Sequence, residues 1–172
     1  MLTPAPMKKA VICTCVAAIV MAAGVGARAG EPSPCDIHEF GLDAGKFYLY
    51  LTQDTPYTGW QLWPGSSTMH KADSPHGPLV TTYVNPPAYE SLATGHELKA
   101  GSLIVMENYG LDGDLRGLSV RLKIKDYYPA GNDWYWLQYD GKGEATREGK
   151  GHECLRCHAR EKGNGETGAA PR

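Results

Sequence analysis

Leu118-Ser119-Val120-Arg121-Leu122-Lys123-Ile124-Lys125 alternates without a break. Val120, Leu122 and Ile124 face one way; Ser119, Arg121, Lys123 and Lys125 face the other. Period two over such a run is a strand with one buried face. Residues 134–139 (WYWLQY) read as a further strand, rich in aromatics. Between them lies the turn-rich stretch 128–133 (YPAGND), so the two strands should pair antiparallel. Trp134 and Trp136 share one face and should belong to the sheet core.

Working outward, residues 79–85 (LVTTYVN) and 102–108 (SLIVMEN) read as two more strands. Pro86-Pro87 stops the first and opens a short helix over 87–94. Lys99-Ala100-Gly101 turns the chain into the second. Residues 42–53 form a candidate helix, ended by the segment 59–64. Residues 65–78 and 111–117 read as loops, and 141–151 as a charged, Gly-rich connection. The expected fold is α+β: mainly antiparallel sheet with a few short helices.

The 172-residue chain suits one domain once a targeting segment is removed. A net charge of -2 argues against nucleic acid as a partner. Lys8-Lys9, an uncharged apolar run over 10–25 and Ala27-Arg28-Ala29 make residues 1–29 a cleavable secretory signal, with Met7 an alternative start. The apolar run is short for a retained membrane anchor. A single domain over residues 30–172 is expected, with a disordered tail from about 160 to 172, where apolar residues are scarce. Cys13 and Cys15 leave with the signal. Cys35, Cys154 and Cys157 remain, and Cys35 is the odd one, a spare thiol or an intermolecular disulfide.

Cys154-Leu155-Arg156-Cys157-His158 is C-x-x-C-H, the attachment pattern of haem c. Two thiols separated by two residues reach the two vinyl positions on one side of the porphyrin. The following histidine is then carried beneath the ring, where its imidazole meets the iron. A zinc site would need four ligands, and no second Cys/His pair stands at ordinary spacing. A redox dithiol would want a βαβ setting, which the strand pattern lacks. One motif means one covalent haem c, bound by Cys154 and Cys157 with His158 as the metal ligand.

Three further stretches order themselves before this motif. They are His76-Gly77-Pro78-Leu79-Val80-Thr81-Thr82-Tyr83-Val84-Asn85, the run from Leu98 to Glu107, and Asn132-Asp133-Trp134 with its aromatics. Together they resemble the cytochrome P-460 family from about Trp60 to His158. The resemblance implies one haem c held against an antiparallel sheet, often in a homodimer. It also implies two activities. Members with a lysine cross-linked to the haem oxidise hydroxylamine, while β-fold relatives without it bind nitric oxide or other small gases. Where the family pattern has Val-Lys-Glu, this chain has Val105-Met106-Glu107, so Met106 stands in place of the cross-linking lysine. The short polar C-terminal tail is a second departure.

Met106 is therefore a candidate sixth iron ligand or a methionine that fills the haem pocket. Arg121 is a candidate partner of a haem propionate or bound ligand, or part of a solvated strand face. Glu107 points away from Met106 by strand alternation. His70, His76 and His96 are expected at the surface. The expected protein is a periplasmic mono-haem cytochrome that binds a small gas such as nitric oxide or transfers electrons to a partner protein. The alternative is an enzyme oxidising hydroxylamine or a related nitrogen compound.

Overall fold

The computed structural model describes residues 42–158. The expected signal peptide, Cys35 and the expected disordered tail lie outside them. The elements run α1 (Ala44–Leu49), extended by a wider helical turn (Tyr50–Asp54), then β1 (Gln61–Leu62), β2 (His70–Ser74), β3 (Gly77–Val84) and α2 (Pro86–Ala93). There follow β4 (Leu103–Tyr109), β5 (Leu115–Lys123), β6 (Trp134–Asp140), β7 (Ala145–Gly149) and α3 (His152–His158).

The seven strands make one antiparallel sheet in the order β1-β3-β4-β5-β6-β7, with β2 also paired to β3. This is the expected α+β class. The expected β5–β6 pairing is present, with Arg121 opposite Trp136 and Lys123 opposite Trp134. Two expectations are corrected. The presumed loop 65–78 contains β2, and the presumed connection 141–151 contains β7. Both are edge strands, and β7 is almost wholly exposed. Their backbone is satisfied by one neighbour, so no apolar alternation is required of their side chains.

The sheet is covered on both faces. Phe47 and Leu51 of the first helix pack with Tyr57 on one face, against Leu103, Val105, Val120, Leu122, Tyr135 and Leu137. The other face carries Val84, Ile104, Trp134 and Trp136, covered by Ala88 of α2 and by Cys154 and Leu155 of α3. Burial of each such aliphatic side chain is worth about 2 kcal/mol.

Asn85 ties three elements on the second face together. Its Oδ1 caps α2 by accepting from the backbone N–H of Ala88 at 3.2 Å and also accepts from Leu103 N–H at 2.9 Å, while its Nδ2 donates to the Gly101 carbonyl at 2.9 Å. One side chain thus stops β3, starts α2 and aligns the entry of β4.

Candidate functional site

Strand pairing sets out the site. Ile104, Arg121 and Trp136 form one row across β4, β5 and β6, and Met106, Ser119 and Gln138 form the next. All six line one cleft, closed by His76, Arg147, Cys154 and His158.

α3 is held onto this face by close packing and one ion pair. Gly151 adopts a left-handed backbone (φ 53°) and faces Trp136: a Cβ there would lie 2.6 Å from Trp136 Cγ. Arg147 of β7 pairs with Glu153 in the first turn of α3, where a carboxylate also suits the helix dipole. The sequence missed Arg147 because β7 was read as a connection.

The C-x-x-C-H helix therefore lies over the aromatic row. Both thiols are free; Cys154 is half-buried against the cleft and Cys157 is exposed. The His158 ring centre lies 5.0 Å from that of Trp136. Burial first, then the Arg121 guanidinium and the His76 ring, push the His158 imidazole down to about 3. A neutral imidazole is the form that ligates a metal.

Arg121 is only 8% exposed. This corrects the reading of its strand face as solvated. Its guanidinium carbon lies 5.4 Å from the centre of Trp134 and 5.5 Å from that of Trp136, a cation over two aromatic faces. Lys123 sits over the same row, its Nζ 5.0 Å from the ring centre of Trp134.

His76 is the second correction. It was expected at the surface, yet it lines the cleft, with its ring centre 6.2 Å from that of His158. Its Nδ1 lies 3.0 Å from Ser119 Oγ, and burial followed by Arg121 lowers its pKa. The available signal was its place at the head of the run that ends in Asn85. His70 lies in β2, not in a loop, and is part-buried; its Nδ1 is 2.7 Å from the Ser67 carbonyl. His96 is exposed.

Met106 is half-buried on the cleft side of β4. Glu107 faces the other way, as strand alternation requires. It is buried, accepting from the Tyr57 hydroxyl at 3.0 Å and from the Tyr109 hydroxyl at 2.6 Å.

The donor chemistry fits haem c. Two unpaired thiols and a neutral imidazole stand on one helix beside a wall of Ile104, Met106 and Trp136. The buried Nε1 of Trp136 has no hydrogen-bond partner among the described residues, so the wall keeps a donor in reserve for a bound group. Among the described residues no three His, Cys, Asp or Glu side chains gather as a metal site.

An antiparallel sheet that presents a C-x-x-C-H helix to one face defines a class of α+β protein distinct from helical cytochromes. The Cytochrome P460 family model matches residues 57–166, well over half the chain, and the chain belongs to that family. It is thus a haem c cytochrome of this family. No curated protein matches the chain.

Proposed function

We propose that the chain is an exported, periplasmic mono-haem cytochrome whose iron takes a small gas such as nitric oxide, transfers electrons, or does both. In this reading Cys154 and Cys157 carry the haem covalently and His158 is the proximal ligand. Met106 packs beside the ring, and Arg121 supports a propionate or the bound ligand. A homodimer and a redox partner protein accompany the reading, following the family resemblance. The haem, when bound, supplies a redox-active iron. The chain's own residues fix its orientation and restrict the water around it.

The observation that carries this reading is the single cleft lined by Met106, Arg121, Cys154 and His158. Residues from two sheet strands and from the C-x-x-C-H helix converge there, as a group anchored on the helix and resting on the sheet requires. The test is the absorption spectrum of the pure reduced protein with and without nitric oxide or carbon monoxide. Both gases should bind and change the spectrum. A low-spin spectrum that resists both gases would favour Met106 as sixth ligand and electron transfer alone. The second reading, oxidation of hydroxylamine, follows from the family; Met106 weighs against it.

A further inference from the structure

We infer that Arg121 sets the reduction potential of the haem in this cleft, its buried positive charge favouring the reduced iron. This rests on the covalent haem reading above. Arg121 is 8% exposed and lines the cleft from β5. A buried cation is costly unless something holds it. Two indoles do so here: the guanidinium carbon lies 5.4 Å from the centre of Trp134 and 5.5 Å from that of Trp136. An aromatic face attracts a cation through its quadrupole and has no net charge. The two rings thus fix the guanidinium in place without cancelling its field.

That field reaches the ligand histidine. Trp136, against which the guanidinium rests, has its ring centre 5.0 Å from that of His158. Charge and imidazole share one indole as a neighbour. Among the described residues that line the cleft there is no Asp or Glu. The other cation there, Arg147, is exposed and paired with Glu153, so its charge is balanced and screened. Lys123 rests on Trp134 and is not a cleft residue.

The sign follows from charge. Oxidised iron carries one more positive charge than reduced iron. A fixed cation in a site largely closed to water opposes that extra charge and raises the potential. Pairing with a haem carboxylate leaves the sign unchanged, because loss of Arg121 would then strand a negative charge beside the haem. Reduced iron is the form that takes carbon monoxide, so the same charge favours the gas-binding state.

The test is a potentiometric titration of the haem-loaded full chain, unmodified and as Arg121→Met, Arg121→Gln, Arg121→Lys and Lys123→Gln. Arg121→Met and Arg121→Gln both lose the charge and should lower the potential alike. The expected fall is a roughly tenfold shift in the balance of reduced to oxidised haem, ~59 mV for one electron. Arg121→Lys keeps a charge and should stay nearer the parent; a fall as deep as in the neutral variants would overturn the inference. Lys123→Gln removes an equal charge outside the cleft and should shift the potential less. A fall in only one of the two neutral variants would trace the effect to polarity or entering water, and would also overturn it. So would an equal fall in Lys123→Gln, which assigns the effect to net charge, or an unchanged or raised potential in both neutral variants. Haem lost from both neutral variants would overturn it by making Arg121 a residue for haem loading. If the unmodified chain carries no covalent haem, the haem reading itself falls and this inference with it; in every other outcome that reading stands.

Discussion

Met106 stands directly opposite Ser119 across β4 and β5, in the row of the sheet that walls the cleft. The family resemblance puts a cross-linking lysine at this position. A thioether has no nucleophilic nitrogen and cannot form that bond. Macrocycle distortion is one of the few levers a protein has over haem reactivity. The unmodified protein should therefore show an ordinary c-type spectrum and little hydroxylamine turnover with an artificial electron acceptor. Met106→Lys should introduce some cross-linked haem, visible as a red-shifted band. Robust turnover by the unmodified protein would move the enzyme reading to first place.

Cys154 and Cys157 sit one turn apart on α3 with His158 next in sequence. Haem should stay with the polypeptide on a denaturing gel, and the double change Cys154→Ala, Cys157→Ala should release it. His158→Ala should keep the haem attached but alter its spectrum in both oxidation states. Haem lost from the unmodified chain on denaturation, or a His158→Ala spectrum like the parent's, would contradict the assignment.

Gly151 is the hinge by which α3 meets the sheet. A methyl group there would collide with Trp136, on a backbone of positive φ that side chains disfavour. Gly151→Ala should cost about 2 kcal/mol of stability and misplace His158. A denaturant melt and the haem content after expression check this. Gly65 also has a positive φ, but no atom lies near its Cβ position. Gly65→Ala should therefore be milder and leave haem content unchanged.

Tyr57 and Tyr109 both donate to buried Glu107 on the far face of the sheet. Burial, followed by the Glu107 charge, raises the Tyr57 phenol. Burial, followed by the hydrogen bond to Glu107, pushes Tyr109 up to about 12. The folded chain thus keeps protons that the unfolded chain releases near pH ~10. Their contribution to stability is complete below that pH and is lost as the pH rises towards the folded values. Denaturant midpoints should fall steadily above pH ~10, and Tyr109→Phe should flatten the fall. At neutral pH Tyr57→Phe should cost about 2 kcal/mol, the worth of a hydrogen bond to a charged group. A midpoint unchanged across the alkaline range would disprove the coupling.

Much of this protein was legible locally. The alternation at 118–125 corresponds to β5, and the aromatic run at 134–139 to β6, each displaced by a residue or a few. Pro86-Pro87 marked a real strand stop and helix start, while the capping role of Asn85 emerged only from the structure. C-x-x-C-H was visible because its chemistry depends on spacing along the chain, which needs no partner to be read. β2 and β7 were not legible, since an edge strand is specified largely by the backbone of its neighbour.

Arg121 and His76 divide the two kinds of knowledge most clearly. By sequence alone, the first lies on a polar strand face and the second precedes a strand. Alternation states which residues share a face; it does not state whether another element covers that face. α3 and the Trp134–Trp136 row cover this one, so a guanidinium and an imidazole with surface-like sequence contexts become cleft residues. Motif, strand period and the Met106 substitution belong to the sequence, because covalent order and local sterics carry them. The burial of Arg121 and the meeting of His76 with Ser119 and His158 belong to the tertiary structure, because contacts between residues 43 and 82 positions apart arise only when the sheet pairs and α3 packs across it.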